Sequence, residues 1–413
     1  MGKLKFKKSR RFISLIILCA VVFSCAATSS CGKNLGGNTA MTLTYGKNTT
    51  KFSSNIYSYY LSYQKTMTLY MIYSMYKSMG AEVPENPASI DNPEMWTTSE
   101  LLDYFMALRL IYVSQDDLKT IKNLRDYVKK QTDDTVKRML AMVAFCKEHK
   151  LELSKDELKK VDGMMEEILK NSKYNKSKAS LNSTLFRFNI NYDILKEIRK
   201  YESLSGVMGR YLFDSNTGKR KVTGDMVNQY YQQVCVRIKH ILVPYPVKTY
   251  DVNGDEVPYT EQELAEMQTK IDDIYGRVTG GEDFDNLFKD YEDTMGAEGY
   301  TLSAQTSFMP QEIMLAAYEM KTGEVRKVES AYGVHIIKKY ALLPVAQAYD
   351  IEETQTRGSA VMWESTITRM IQAAVTNEEL KPFIEKIDVN TAETNLFDIS
   401  TSDVMFDCAE IIY

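Results

Sequence analysis

Two of the three histidines in this 413-residue chain lie in runs of β-branched and apolar residues that are typical of strands. His240 lies in Val-Arg-Ile-Lys-His-Ile-Leu-Val, and His335 lies about a hundred residues later in Tyr-Gly-Val-His-Ile-Ile-Lys-Lys-Tyr. Because side chains alternate between the faces of a strand, His240 shares a face with Ile238, and His335 shares one with Ile337. A single strand histidine is most often a satisfied core residue. Two in matching contexts indicate a pair of imidazoles that could serve catalysis.

The stretch between these two histidines carries further motifs. Its first strand contains His-Ile-Leu-Val and its last contains Tyr-Gly-Val-His-Ile-Ile; between them lie Phe284-x-x-Leu287-x-x-x-Tyr291, Met309-Pro310-x-x-Ile313 and Lys321-Thr-Gly-Glu-Val325. In order and spacing these motifs resemble a parvulin-type peptidyl-prolyl isomerase domain. The resemblance implies a small antiparallel sheet with surrounding helices, over about residues 234–342.

The resemblance also implies roles for individual residues. His240 and His335 would form a mutually hydrogen-bonded pair, and the hydroxyl of Ser330 would steady them. Met309 and Ile313 would be walls of a proline pocket above the pair, with Ile313 in the place of the usual Phe.

One further implied site residue, Thr294, departs from the family pattern. The family commonly has Cys or Asp there, and the adjacent Asp293 takes this place if the loop is shifted by one residue. Prolyl isomerisation requires only passage over a barrier of roughly 20 kcal/mol that amide resonance sets. An apolar pocket and hydrogen bonds that favour the twisted amide suffice, so no cofactor is predicted.

Two functions compete on this basis. In the first the protein is a peptidyl-prolyl isomerase, and in the alternative it is a holdase whose isomerase-like domain only binds extended client segments. A solute-binding lipoprotein is disfavoured, because such folds alternate strands and helices throughout both lobes.

The N-terminus has the pattern of an export signal. Several Lys and Arg residues precede the apolar run Phe12–Phe23, which is too short to span a bilayer comfortably. Small residues then precede Cys25, as in a bacterial lipobox, and Cys31 has a similar context. We expect residues 1–24 to be a lipoprotein-type signal peptide and residues 25–40 a flexible tether, with lipid on Cys25 or, alternatively, on Cys31. An uncleaved N-terminal anchor is the competing interpretation.

Charge and cysteine content exclude several kinds of partner. The formal net charge of −4 becomes −10 when the six positive charges of residues 1–24 are removed. Such a negative body disfavours nucleic acid as a partner. The six cysteines lack C-x-x-C and His spacing, so no zinc or other metal site is predicted, and they are too few for a disulfide framework in a chain of this length.

The rest of the chain is mainly helical in its apolar periodicity. A helix rich in Tyr and Met between Ile56 and Met75 fits either a core face or an adaptable surface for apolar client segments. We predict an α+β protein with a helical chaperone-like lobe over 41–230 and a parvulin-like domain over 231–345. A C-terminal helical segment over 346–413 is expected to pack back onto the lobe.

This arrangement resembles the exported foldases of the PrsA/SurA type. The resemblance implies a foldase held on the outer face of a bacterial cell membrane by its N-terminal lipid. Its expected partners are unfolded or partly folded secreted polypeptides with X-Pro segments.

Overall fold

The computed structural model describes residues 37–412 except positions 79, 81, 108–110, 112, 115, 251–255, 292–297, 305 and 307. Its α-helices are α1 Ser54–Ser78, α2 Ser99–Ala107, α3 Leu124–Glu148, α4 Lys155–Lys170, α5 Lys178–Leu185, α6 Tyr192–Phe213, α7 Gly224–Val234, α8 Glu261–Thr279, α9 Phe284–Asp290, α10 Gln311–Glu319, α11 Ile351–Arg357, α12 Trp363–Ile384 and α13 Thr391–Thr394. Its strands are β1 Thr39–Tyr45, β2 Asn48–Ser53, β3 Cys235–Pro244, β4 Thr249–Tyr250, β5 Glu256–Val257, β6 Tyr300–Ser303, β7 Val325–Ser330, β8 Gly333–Tyr340 and β9 Ile387–Val389.

These elements form two compact units. The described residues up to Lys219 and from Asn377 onwards make up the helical unit, and Arg220–Thr376 make up the second. Residues 346–376, which the sequence assigned to the C-terminal segment, therefore belong to the second unit. The reason is local packing: the backbone N–H of Trp363 donates to the carbonyl of Ala348, and its indole lies 6.5 Å from the ring of Tyr231.

The helical unit is built around the long helices α1 and α3. Its small antiparallel sheet has the order β2-β1-β9, in which Met41 pairs with Val389. The Tyr- and Met-rich helix α1 lies in the core: Ile56, Tyr59 and Tyr60 are all buried. Core packing, and not an open client surface, therefore explains most of its apolar face.

The C-terminal segment is bound into the helical unit by side chains of α1 and α6. Lys65, 1% exposed, donates to the carbonyl of Ser402 at 2.8 Å and pairs with Asp91 at 2.6 Å. Tyr59 and Arg199 both donate to the carbonyl of Ile411. The deeply buried ammonium of Lys65 is tolerated because the carbonyl oxygen of Ser402 and the carboxylate of Asp91 compensate for its lost hydration.

The second unit contains a four-stranded antiparallel sheet with the order β6-β3-β8-β7. Helix α10 covers one face, where Ile238, Ile313 and Ile337 form a buried cluster. Helices α8 and α9 cover the other, where Ile241 and Ile336 are buried with residues of both helices. The two central strands are thus enclosed on both faces, which fixes the side chains that they carry.

Helix α8 begins and ends at signals in its own sequence. Thr260 and Glu263 form a complete capping box at its start, and Gly280–Gly281 follow its last residue. Asn253–Gly254, a sequence typical of a hairpin turn, lies outside the described residues, although Thr249 and Val257 on either side are paired. The described helices include none long and apolar enough to cross a membrane.

Candidate active site

The two strand histidines meet on neighbouring strands. In the antiparallel register of β3 and β8, His240 is opposite Ile337 and Leu242 is opposite His335, so the two imidazoles are diagonal neighbours on one face. His335 is only 3% exposed, while His240 is half-buried. The alternation read from the sequence therefore places both rings where they can touch.

A chain of hydrogen bonds joins the histidines to Ser330. The Nδ1 atoms of His335 and His240 are 3.2 Å apart, and Nε2 of His335 lies 2.9 Å from the Ser330 hydroxyl oxygen. That oxygen also accepts the backbone N–H of Tyr332 at 3.1 Å. The structure thus brings together three residues that the resemblance placed in the site.

The partners assign the protons of this chain. The Ser330 oxygen already accepts an N–H, and its alternative acceptor, the carbonyl of Gly333, is 3.5 Å away. The hydroxyl is therefore best placed to donate to Nε2 of His335, which must then carry its proton on Nδ1. His335 donates from Nδ1 to Nδ1 of His240, and His240 is left protonated on Nε2.

Burial keeps His335 neutral. Desolvation, followed by the neighbouring His240, lowers the pKa of His335 to about 4. A protonated His335 would have to face another imidazole in a nearly dry site. At neutral pH His335 is therefore an uncharged hydrogen-bonding group that orients its partner, and not a proton donor to substrate.

The two expected pocket walls lie in the core beside the pair. Met309 is 4% exposed and Ile313 is fully buried, both packed among residues of β3, β6 and β8. The aromatic residues next to them were not predicted: the ring of Tyr300 lies 5.4 Å from that of His240, and Phe308 lies 5.9 Å from Tyr300. Phe308 is exposed and therefore offers accessible apolar surface, whereas Met309 and Ile313 are buried and do not.

Three sequence-predicted site residues lie outside the described part of the chain. They are Thr294 and the two candidate lipidation sites Cys25 and Cys31. The described residues contain no cluster of His, Cys, Asp and Glu suited to a metal ion.

Comparison with known proteins identifies the second unit's central segment. Residues 240–341 match the rotamase family model, described as the PPIC-type PPIase domain, and this segment is therefore a parvulin-type domain. No curated protein matches the chain.

Several solved structures are similar to the chain at low identity. Peptidylprolyl isomerase PrsA from Bacillus cereus shares 19% identity at a TM-score of 0.29, over 68% of this chain and 92% of that one. PrsA from Bacillus subtilis shares 22% identity at a TM-score of 0.20, over 70% of this chain and 93% of that one. A SurA-like chaperone structure from Campylobacter jejuni shares 14% identity at a TM-score of 0.18, over 74% of this chain and 91% of that one. The identity of the domain rests on the family match alone.

Proposed function

We propose that the protein is a peptidyl-prolyl cis-trans isomerase that acts on X-Pro segments of unfolded or partly folded secreted polypeptides. The observation that carries the proposal is the series of hydrogen bonds from Ser330 through the buried His335 to His240, built into a segment that matches the PPIC-type PPIase domain. Its catalytic set comprises these three residues and Thr294.

The proposed chemistry is non-covalent. The barrier of roughly 20 kcal/mol falls when a site binds the twisted amide more tightly than either planar form. His335 and Ser330 act as positioning residues, because Ser330 is hydrogen-bonded to His335 and His335 is hydrogen-bonded to His240. We assign the contact with the substrate to His240, because it is half-buried whereas His335 is buried.

The substrate's proline ring would be held by apolar surface next to His240. Met309 and Ile313 support this surface from within, while Phe308 supplies its exposed part. The ring of Tyr300 links His240 to Phe308, because it lies close to both of their rings.

A holdase remains the second candidate, and one observation favours it. The near-complete burial of Met309 and Ile313 leaves little of either wall accessible to a proline ring. A domain in this state could bind extended client segments at its aromatic surface without lowering the isomerisation barrier.

Location is part of the proposal. The basic N-terminal region, the short apolar run and the cysteine that follows support export, with a lipid on Cys25 or Cys31 holding the protein to the outer face of a bacterial membrane.

The direct test of the function is a cis/trans assay with the full chain and short X-Pro peptides. Isomerisation should exceed the uncatalysed rate and should saturate with peptide concentration. A rate equal to the background at every protein concentration would reject the isomerase and leave the holdase.

A further inference from the structure

Three rings lie side by side at the histidine site, one on each of three adjacent strands. His240 on β3 lies between His335 on β8 and Tyr300 on β6, because β3 pairs with both of those strands. The ring centroids of His240 and His335 are 5.2 Å apart with the planes at 40°, and those of His240 and Tyr300 are 5.4 Å apart at 42°. His240 thus has an aromatic neighbour on each side within the sheet.

Tyr300 is held firmly in this position. It lies opposite Ile238 on β3, and it is only 4% exposed in the cluster under α10. The preceding Gly299 has a positive φ of 73°, and a Cβ there would lie 2.5 Å from the carbonyl oxygen of Ile238. Glycine therefore allows the backbone to approach β3 closely. Arg237 on β3 also donates to the carbonyl of Glu298 at 2.8 Å, so the start of β6 is fixed against β3.

The hydrogen bond to His335 is a modest restraint on the ring of His240. Because His240 is half-buried, water competes for this bond. A change of rotamer at His240 would separate the two Nδ1 atoms that now lie 3.2 Å apart. The ring of Tyr300 occupies the space into which the imidazole would turn toward β6. A tilted contact between aromatic rings is also favourable in itself.

We propose that Tyr300 is a positioning residue for the isomerase site. Its ring holds the imidazole of His240 in the orientation that accepts from His335 and directs the Nε2–H away from that partner. The ring carries this role, and the hydroxyl does not. Tyr300 is too deeply buried to offer surface to a peptide, so it acts through His240. The orientation of His240 is measurable without any activity, whereas its effect on the reaction rests on the function proposed above.

The first test records the imidazole nitrogens of His240 by ¹⁵N NMR, in the full chain without substrate and above the pKa of an ordinary histidine. A nitrogen that carries a proton differs in shift from one that does not, so the spectrum reports the tautomer. In wild type we expect one tautomer, with the proton on Nε2. Tyr300→Phe keeps the ring and should keep this spectrum. Tyr300→Leu removes the ring and should give nitrogens averaged between the two tautomers.

A matched control disturbs the same core without removing a ring. Leu302→Val lies two residues from Tyr300 on the same face of β6 and in the same buried cluster. It should leave the spectrum of His240 unchanged. If Tyr300→Leu does not fold, Tyr300→Met takes its place, because an unbranched thioether side chain fills irregular core space.

Activity gives the second readout. Tyr300→Leu should lower kcat for X-Pro peptides roughly tenfold and leave KM nearly unchanged, because His240 acts on the twisted amide and the buried ring does not touch the peptide. Tyr300→Phe should have both constants of wild type. A folded Tyr300→Leu protein with the His240 spectrum of wild type would overturn the proposal, as would an equal change in Tyr300→Phe. A wild-type protein without isomerase activity would reject the function, and the spectra alone would then decide the role of Tyr300.

Discussion

His335 and His240 lie on neighbouring antiparallel strands with their Nδ1 atoms 3.2 Å apart. Only one of the two atoms can carry a proton while both rings are neutral, so each histidine fixes the tautomer of the other. Ser330 determines which Nδ1 carries the proton, because its hydroxyl is placed to donate to Nε2 of His335 and so leaves the proton of that ring on Nδ1. Stability and activity therefore both depend on this contact, and they need separate measurements.

Replacing His240 separates the two effects. His240→Ala removes the acceptor of His335, whose buried N–H should then reduce the free energy of unfolding by about 1–3 kcal/mol. The variant should also lose X-Pro isomerisation. His149→Ala is the matched control, since this third histidine is exposed and lies in the helical unit. An active, folded His240→Ala protein would contradict the role given to the pair.

The pKa of His335 predicts a pH dependence of stability. Its folded-state pKa of about 4 lies below the ordinary 6.5, so between these values the unfolded state binds a proton that the folded state excludes. The contribution of His335 to the stability of the second unit should therefore fall as pH decreases through 6.5 and level off below 4. The full effect is about 3 kcal/mol.

Denaturant unfolding of wild type and His335→Gln across this pH range measures that contribution. The variant has no imidazole to titrate at this position, so its stability should vary less with pH. Parallel pH profiles of the two proteins would contradict the lowered pKa, as would an NMR titration that places His335 near 6.5.

Local pattern predicted which face of its strand each histidine occupies, whereas the hydrogen bond between the two imidazoles was implied by the family resemblance. Alternation along each strand puts His240 with Ile238 and His335 with Ile337, and both apolar partners lie in the α10 cluster. Alternation alone does not show whether the opposite face is also buried. Ile241 is buried there because helices α8 and α9 cover that face, and their docking is a tertiary effect.

Elements that depend on distant partners were not predictable. Strand β9 has three residues and exists through its pairing with β1, nearly the whole length of the chain away. Pro310 and Gly323 in the sequence are typical of the two ends of one helix, but α10 ends at Glu319 because Met320 turns into the core. Gly323 instead takes a positive φ of 88° in the turn before β7.

The helical unit should depend on the C-terminal segment. Deleting residues 397–413 removes the carbonyl acceptors at Ser402 and Ile411, so Lys65 and Arg199 each lose one of the partners that compensate for their burial. The thermal transition of this unit should shift to a much lower temperature. Met405→Ala, at a fully buried position, should cost about 2–5 kcal/mol, whereas exposed Leu396→Ala should change little. Unchanged stability after the deletion would refute this dependence.

Lipid anchoring is testable by mass. Protein extracted from bacterial membranes should begin at Cys25, or at Cys31, and carry a diacylglyceryl group. Cys25→Ser and Cys31→Ser, each alone, distinguish the two positions, because only the modified cysteine is needed for membrane association. A mature chain that begins elsewhere and carries no lipid would exclude the anchor.

The last prediction concerns Thr294 and the choice between isomerase and holdase. Related domains commonly place Asp or Cys there, so Thr294→Asp should raise the rate of X-Pro isomerisation above a weak wild-type rate. The physical reason is a polar group able to interact with the twisted amide more strongly than a threonine hydroxyl can. Thr294→Val, of similar size but without a polar group, is the matched control and should be no faster than wild type.

A second substitution shows whether the neighbouring carboxylate already fills this role. If Asp293 serves in the place of Thr294, Asp293→Asn should abolish the wild-type rate, and Thr294→Asp should restore activity in that background. Client binding is measured on the same proteins with an unfolded polypeptide. Binding that persists in wild type and in Thr294→Asp, with no isomerisation above background in either, would decide for the holdase, because the aromatic surface would then hold clients without stabilising the twisted amide.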